Sequence, residues 1–402
     1  MSNKLTVLTI VFLVIVPLIG IFLWIDYQNL STRSTEDKDI ESVTQEEMIP
    51  LVQQEDSGKG ESSIESTQQD CINCEPEEEK GKTKTLKQAG WIPPWDYNNG
   101  IESLRGFKTE FDNISPVTFS INSDGSLNPR LDTKLQELRE ITEYKNISII
   151  PTISDFDSDR MKNILNDEKN RDKHINAIVN VVEKNNYDGI DLDYEAISRE
   201  SKEPFFIFLE ELSSRLDSKN KILSVTVLPK WGDDVVYTSL AETREVQDYE
   251  RIAKYSDQLR IMTYDFTHPR DPKPGPIAPT NWVERVLEYT TDKVQNDKIW
   301  LGIHLYSYEW VLENDQPHAD ILNVNSYTYQ QLQDSIFMQE GIDTKYDEDI
   351  QEGMAEYPCN GNHCKLYYAT PESVKQRQNL ANKYKIAGVT YWRLGQEGDI
   401  IR

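Results

Sequence analysis

Three carboxylates recur at every second residue in one short stretch of the sequence. Residues 188–195 read Asp-Gly-Ile-Asp-Leu-Asp-Tyr-Glu, so Asp191, Asp193 and Glu195 alternate with large apolar side chains. Successive side chains of a β-strand point to opposite faces, so the three acids would share one face. Carboxylates that crowd together away from water raise one another's pKa, and one of them can then hold a proton near neutral pH. General acid catalysis requires such a protonated group.

The surroundings of this stretch bear on whether its acid face is exposed or buried. An exposed acid face would make it an ordinary amphipathic strand. Helical patterns precede the stretch at 173–186 and follow it from Ser201. Strands between helices are usually covered on both faces, which favours a buried acid face. We interpret Asp188 as a structural residue that bonds backbone amides at the start of the strand.

From residue 87 onward, short β-rich runs alternate with helical patterns. The predicted strands are Gln88–Ile92, Pro116–Ile121, Ile147–Ile153, Gly189–Tyr194, Leu223–Leu228, Leu259–Tyr264, Ile299–Leu305 and Gly388–Trp392. The predicted helices are Leu131–Thr142, Lys173–Asn186, Pro204–Leu216, Trp282–Thr291 and Pro371–Tyr384. This alternation predicts an α/β fold, a (β/α)8 TIM barrel over 87–402, with its site at the carboxyl ends of the strands. The acids would lie on the fourth strand, where an inward acid face needs a function to explain it.

The first 86 residues differ in composition from the rest of the chain. Residues 5–25 carry no charge and are long enough to span a bilayer, whereas the following stretch is rich in Ser, Thr, Gln, Glu and Asp. We predict a transmembrane signal anchor at 1–26 and a disordered acidic linker at 27–86. The charge of Lys4 before the span predicts a single-pass protein of the cell membrane with its barrel outside. Secretion after signal cleavage is the alternative.

Charge and cysteine content exclude some classes of partner. The chain has 69 acidic and 43 basic residues, a net charge of -26, which argues against a nucleic-acid partner. Cys71 and Cys74 lack the further ligands of a zinc site, so we expect a local disulfide or free thiols there. Cys359 and Cys364 bracket a turn-rich loop and are typical of a small disulfide-closed loop, with a metal site at His363 as the alternative. We predict no metal and no cofactor.

Several of these residues resemble the signatures of one enzyme family. Residues 188–195 resemble the D-x-x-D-x-D-x-E signature on the fourth strand of glycoside hydrolase family 18, the chitinase-like (β/α)8 barrels. Residues 262–265, Met-Thr-Tyr-Asp, resemble the M-x-Y-D motif of the sixth strand in that family. Trp392 resembles its tryptophan on the eighth strand. The resemblance covers 87–402 and implies the same barrel.

Other residues favour one subgroup of the family. Residues 274–282, and 301–303 with Tyr306, resemble the N-acetylglucosaminidases of bacterial spore germination and cortex lysis. The third strand ends Pro-Thr-Ile-Ser-Asp at 151–155, where chitinases have S-x-G-G, which weakens crystalline chitin as the substrate. Chitinases place an inserted small domain in the region that corresponds to 311–368.

The resemblance implies a role for each site residue. Glu195 would be the general acid and then the base that activates water. Asp193 would orient the acetamido N–H of the substrate and stabilise positive charge, with Asp191 behind it. Tyr264 would donate a hydrogen bond to the acetamido oxygen. The implied substrate-binding residues are Asp265, Met262 and Trp392.

The expected reaction is hydrolysis of β-linked N-acetylglucosamine glycans, peptidoglycan or chitin-like, with retention of configuration. Asp193 and Glu195 lie roughly 7 Å apart along one strand and cannot flank the sugar from opposite sides. The family implies that the substrate's own acetamido oxygen is the nucleophile. A catalytically inactive lectin on the same barrel is the alternative, although both acids are present. A structural calcium site would require a D-x-D-x-D-G loop pattern, which the acid row lacks.

Overall fold

The computed structural model describes residues 86–106, 110–130, 135–316 and 318–401. The predicted anchor at 1–26 and the linker up to residue 85 lie outside the described residues, as do Cys71 and Cys74. Within the described ranges, none of the helices combines the length and the apolar character that a bilayer-spanning segment needs.

Eight parallel strands of the described chain close into a barrel, as predicted. They are β1 (Lys87–Ile92), β2 (Asn113–Ile121), β3 (Thr152–Asp155), β4 (Gly189–Tyr194), β5 (Ile222–Val227), β6 (Gln258–Ile261), β7 (Ile299–His304) and β8 (Gly388–Trp392). Each strand pairs with its neighbours in chain order, and β1 pairs with both β2 and β8, which closes the ring. Two short strands, Leu127–Pro129 and Ser148–Ile149, pair with β2 outside this ring.

Helices follow the strands and cover the barrel. They are α1 (Tyr97–Gly106), α2 (Leu135–Lys145), α3 (Ser158–Leu165), α4 (Glu168–Lys184), α5 (Lys202–Asp217), α6 (Ala241–Val246), α7 (Tyr249–Tyr255), α8 (Thr280–Lys293) and α9 (Pro371–Lys383). The five predicted helices are present with slightly shifted bounds. The sequence pattern missed α1, which has ten residues, and it also missed α3, α6 and α7, whose six to eight residues show too little periodicity.

Two predicted strands differ from the observed ones. The predicted strand Ile147–Ile153 is divided into Ser148–Ile149 and β3, and Pro151, which has no N–H to donate, lies between the pieces. The sixth strand was predicted to reach Tyr264 but ends at Ile261, so residues 262–264 lie beyond the end of the strand. Because residues 262–264 lie outside the hydrogen-bonded strand, their side chains are free to point into the mouth of the barrel.

The fourth strand depends on close packing against the fifth. A Cβ atom at Gly189 would lie 2.3 Å from the carbonyl oxygen of Ile222, so only glycine permits this approach of β4 and β5. On its outer face, Tyr194 donates to Nε2 of buried His174, and Nδ1 of that ring contacts the carbonyl oxygen of Gly125, both at 2.7 Å. These contacts fix the strand that carries the acids.

An insertion between β7 and β8 forms a separate five-stranded antiparallel sheet. Its strands are Tyr306–Leu312, Ile321–Thr328, Thr344–Asp347, Glu352–Cys359 and Asn362–Tyr368, and its helical segments are Tyr329–Gln331 and the π-helical Leu332–Ile336. A disulfide joins Cys359 and Cys364 across the last hairpin, as predicted. The metal alternative at His363 finds no support, since the described residues contain no cluster of His, Cys, Asp and Glu that could hold an ion.

Candidate active site

Asp191 is the innermost acid of β4 and is completely buried inside the barrel. Its carboxylate accepts hydrogen bonds from Trp91 Nε1 at 3.1 Å, Thr152 Oγ1 at 2.8 Å, Ser224 Oγ at 2.7 Å and Thr226 Oγ1 at 3.0 Å. The donors belong to β1, β3 and β5, so strands on both sides of β4 fix the position of this carboxylate. Buried polar groups satisfied in this way hold one defined geometry.

A buried cation faces Asp191 across the barrel interior. Arg260 Nη1 lies 4.0 Å from Asp191 Oδ2, and both side chains are fully buried. The guanidinium also donates to Ser115 Oγ at 2.6 Å and to Asn113 Oδ1 at 2.7 Å. The charge of Asp191 therefore has a buried counter-charge and four hydrogen-bond donors.

Asp193 stands one step closer to the barrel mouth. Its Oδ1 atom is buried and has no hydrogen-bond partner among the described residues. Burial, followed by the charges of Glu195 and Asp191, raises the pKa of Asp193 well above its ordinary value, and the charge of Arg130 opposes the shift. This unpaired buried oxygen of the Asp193 carboxyl group can accept a hydrogen bond from a ligand N–H.

Glu195 follows the last residue of β4 and is fixed through its backbone. Its N–H donates to the carbonyl oxygen of Asp155 at 3.0 Å, and its carbonyl oxygen accepts from Thr243 Oγ1 at 3.1 Å. Burial, with a contribution from the charge of Asp265, raises the pKa of Glu195 to about 7, and Arg244 opposes the shift. A carboxyl group with this pKa can donate a proton at neutral pH and accept one later.

Asp265 and Tyr264 lie beyond the end of β6. Asp265 has a left-handed backbone conformation, with φ at 56°. Its Oδ1 accepts hydrogen bonds from the hydroxyl groups of Tyr306 and Tyr308, the second at 2.9 Å. The ring of Tyr264 is almost fully buried and contacts the ring of Tyr306 edge-on, with centroids 6.3 Å apart. Both tyrosines that hold Asp265 come from the first strand of the insertion.

The two remaining predicted binding residues lie at strand ends. Trp392, the last residue of β8, is half-buried, and its ring meets those of Trp91 and Trp95 edge-on with centroids 6.0 and 6.4 Å apart. The Trp392–Arg393 peptide bond is cis. Met262 is half-buried and packs against the main hydrophobic core. The apolar ring face of Trp392 is suited to a pyranose ring.

Asp188 lies at the opposite end of β4 from Glu195. Its Oδ2 accepts a hydrogen bond from the backbone N–H of Ile149 at 2.8 Å. This contact ties β4 to the chain segment before β3, far along the strand from the barrel mouth.

Glu352 is a buried acid that the sequence did not predict. Its carboxylate, in the insertion, accepts from the backbone N–H groups of Ile277 and Ala278 at 2.9 and 2.6 Å. Arg377 Nη2 lies 3.3 Å from Glu352 Oε1, and His304 Nε2 lies 3.6 Å from it. Glu352 therefore joins the loop after Asp265, the helix α9 and the end of β7.

No motif signalled the residues that support the acids. Tyr308, Glu352 and Arg260 are distant from residues 188–195 in sequence and meet the site only when the barrel closes. Tyr306 was noted as part of the subgroup resemblance, without its bond to Asp265. The alternation of Tyr306 and Tyr308 on one strand face is the one local signal that could have identified the pair.

Comparison with known proteins gives consistent matches. The family model described as Glycosyl hydrolases family 18 matches residues 106–397. The uncharacterized glycosylase YvbX of Bacillus subtilis is 25% identical over 304 residues, covering 74% of this chain and 84% of that protein. The cortical fragment-lytic enzyme of Bacillus anthracis is 27% identical over 326 residues, covering 79% and 73%.

Solved structures share the fold. The spore cortex-lytic enzyme SleL of Bacillus megaterium matches with a TM-score of 0.66 at 22% identity, covering 77% of this chain and 71% of that one. A chitinase from Chromobacterium violaceum matches with a TM-score of 0.69 at 20% identity, covering 78% and 96%.

Proposed function

This chain belongs to the glycosyl hydrolases of family 18, and from that premise we propose that it cleaves β-linked N-acetylglucosamine glycans with retention of configuration. The chain is a glycoside hydrolase. The observation that carries the proposal for its mechanism is the combination of Glu195, whose pKa is raised to about 7, with Asp193, whose buried Oδ1 has no hydrogen-bond partner in the described part of the chain. Asp193 lies on β4 and Glu195 directly follows the strand, so both acids approach a bound sugar from the same side.

In the first step, the protonated carboxyl group of Glu195 gives its proton to the glycosidic oxygen. The bond from the anomeric carbon to that oxygen breaks, and the acetamido oxygen of the same sugar forms a bond to the anomeric carbon. The product is an oxazolinium ion and a free leaving sugar. Asp193 accepts a hydrogen bond from the acetamido N–H and stabilises the positive charge, and the charge of Asp191 behind it raises the pKa of Asp193. Tyr264 donates to the acetamido oxygen and aligns it.

In the second step, the Glu195 carboxylate removes a proton from water. The water oxygen attacks the anomeric carbon, and the bond from that carbon to the acetamido oxygen breaks. Two displacements on the same carbon leave the β configuration unchanged. Asp265 and Trp392 bind the sugar, and Met262 shapes the wall beside them.

Peptidoglycan or a chitin-like polymer is the proposed substrate, and the barrel is proposed to act outside the cytoplasm. The names of the cortical fragment-lytic relatives support the proposed substrate. The disulfide between Cys359 and Cys364 supports a location outside the cytoplasm, because disulfides persist in oxidising compartments. Proteolysis of the barrel by a protease added to intact cells would test the location. A barrel that is cut only after lysis would contradict it.

The central test compares the wild-type protein with Glu195→Gln on N-acetylglucosamine oligomers and on peptidoglycan. We expect the wild type to release products and Glu195→Gln to lose about 10²- to 10⁴-fold in kcat while still binding sugar. Glu210→Gln, at an exposed position of α5, is the matched control and should keep full activity. A wild-type protein that binds the oligomers but is as inert as Glu195→Gln would establish the lectin alternative.

A further inference from the structure

A cavity of about 460 Å³ has Arg244 in its wall. Its walls are the start of α5, the loop that follows β5, the helices α6 and α7, and one side of α8. Arg244, in its wall, directly follows Thr243, whose hydroxyl donates to the carbonyl oxygen of Glu195. The charge of Arg244 also lowers the pKa of Glu195 against the effect of burial. One residue of the cavity wall therefore acts on the proton donor through its charge, and no step of the proposed reaction uses the cavity.

Most acidic side chains around this cavity already have partners. Asp233 pairs with Lys293 at 2.8 Å, and Glu245 pairs with Arg199 at 2.7 Å. Asp248 caps α7 by accepting from a backbone N–H. The last two charges of the wall, those of Lys202 and Glu250, are opposite in sign. The paired groups cancel, so only the charge of Asp248 is left to oppose the remaining two cations.

Those two cations are Lys230 and Arg244, and neither has a carboxylate within 4.0 Å in the part of the chain that the structure describes. Lys230 Nζ has one acceptor, the carbonyl oxygen of Gln247 at 3.4 Å, and lies 5.5 Å from the ring centroid of Tyr249. Arg244 donates only to backbone carbonyl groups, those of Pro229 at 3.2 Å and Ser239. Burial lowers the pKa of both side chains. Two partly desolvated cations that have no carboxylate within ion-pair distance favour an anionic ligand.

We propose that this cavity is a subsite for a carboxylate carried by the leaving part of the substrate, bound by Lys230 and Arg244. Glu195 protonates the leaving oxygen, so the leaving sugar lies next to Glu195, and the charge of Arg244 in the cavity wall acts on that same carboxyl group. In peptidoglycan, the sugar that alternates with N-acetylglucosamine carries a lactyl ether that ends in a carboxylate or continues as an acidic peptide. Chitin has no such group. The proposal rests on the proposed function and selects peptidoglycan within it.

The dimensions and chemistry of the cavity fit this ligand. A volume of about 460 Å³ is within the range of small-molecule sites and exceeds what a single carboxylate needs. A guanidinium binds a carboxylate through two parallel hydrogen bonds, and an ammonium adds a point charge. Tyr237 and Tyr289 provide apolar wall for the carbon atoms between the sugar and the carboxylate.

The experiment measures kcat/KM on two substrates, a peptidoglycan oligosaccharide that bears the carboxylate and a neutral N-acetylglucosamine oligomer of equal length. We expect Lys230→Gln to reduce the ratio of the first to the second about 10- to 100-fold, the effect of one charge-assisted hydrogen bond. Lys230→Arg, which keeps the charge, should restore most of the ratio. Lys184→Gln, an exposed lysine on α4, removes the same charge elsewhere and should leave the ratio unchanged.

A second readout does not depend on turnover. The wild type should bind N-acetylmuramic acid more tightly than N-acetylglucosamine. Lys230→Gln should abolish this difference in affinity. If circular dichroism shows that Lys230→Gln has lost its fold, Arg244→Gln takes its place in this assay. An unchanged substrate ratio in a folded Lys230→Gln, or equal affinity of the wild type for the two sugars, overturns the proposal. If the wild type cleaves neither oligosaccharide, the proposed function fails, and the binding comparison still decides for or against the subsite.

Discussion

Asp191→Asn isolates the charge of the innermost acid from its hydrogen bonds. The amide oxygen of the variant can accept from Trp91 and Thr152, and its NH2 group can donate to the hydroxyl groups of Ser224 and Thr226, which rotate freely enough to accept. The variant therefore keeps most of the polar contacts. What it loses is the negative charge that faces Arg260 on one side and Asp193 on the other.

The size of the effect follows from the strand geometry. Residues two apart on a strand lie about 7 Å apart, and at an effective dielectric constant of about 20 two charges at that distance interact by about 2 kcal/mol, or between one and two pKa units. Solvent at the partly exposed Asp193 carboxyl group screens this interaction, so we expect its pKa to fall by about one unit in the variant. The unpaired Arg260 should destabilise the fold by about 1–3 kcal/mol.

The assay is the pH dependence of kcat/KM on a neutral N-acetylglucosamine oligomer. Asp193 must be anionic to stabilise the positive charge of the oxazolinium ion, so its protonation sets the acidic limb of the profile. A lower pKa moves that limb to lower pH by about one unit. Ser224→Ala removes one hydrogen bond from Asp191 without changing its charge and should leave the limb in place. An acidic limb that stays fixed in Asp191→Asn, or moves to higher pH, would refute the reasoning.

Three further predictions follow from the same contacts. Activity should fall above pH about 7, because Glu195 loses its proton there. Arg244→Gln should move this basic limb of the pH profile to higher pH, because the arginine charge lowers the pKa of Glu195. A basic limb that moves to lower pH would be inconsistent with that role. Tyr308→Phe removes a hydrogen bond to the Asp265 carboxylate and should lower kcat/KM about tenfold without a change in melting temperature, as steady-state kinetics would measure. Glu352→Ala should lower the free energy of unfolding by about 3–5 kcal/mol in a urea titration, because it leaves the buried Arg377 without its carboxylate. Glu352→Gln should lower the free energy of unfolding by a smaller amount. Equal stability of the wild type and Glu352→Ala would contradict the buried pairing.

The barrel could be predicted because its signals are local. Each barrel strand is a short apolar run, and most of the runs are separated by helical patterns. The break at Pro151 was not recognised, because the apolar run continues on both sides of it. The insertion was harder to read. Strands such as Ile321–Thr328 are short and mostly polar, with one face open to solvent, so alternation there resembles ordinary surface sequence. The family resemblance gave its place in the chain but not its five strands.

The acids of the site were equally visible, since they share one strand and one face. Their supports were not, because each comes from an element that is distant in sequence. The four donors to Asp191 belong to three different strands, and Glu352 reaches the loop after Asp265 from the insertion. Such contacts depend on the closure of the barrel and on the docking of the insertion, which no local pattern encodes. The spacing of the acids predicts which residues react, which mutagenesis can test, and the structure adds what holds them.

The most direct test of the account is inhibition by a thiazoline analogue of the oxazolinium ion, measured alongside a search for a covalent sugar on the protein. We expect the analogue to bind at least 10²-fold more tightly than an N-acetylglucosamine oligomer, because it resembles the state that Asp193 and Tyr264 stabilise. Mass spectrometry of the protein during turnover should detect no glycosyl ester. Weak binding of the analogue, together with a glycosyl ester on Asp193, would show that the enzyme and not the substrate supplies the nucleophile.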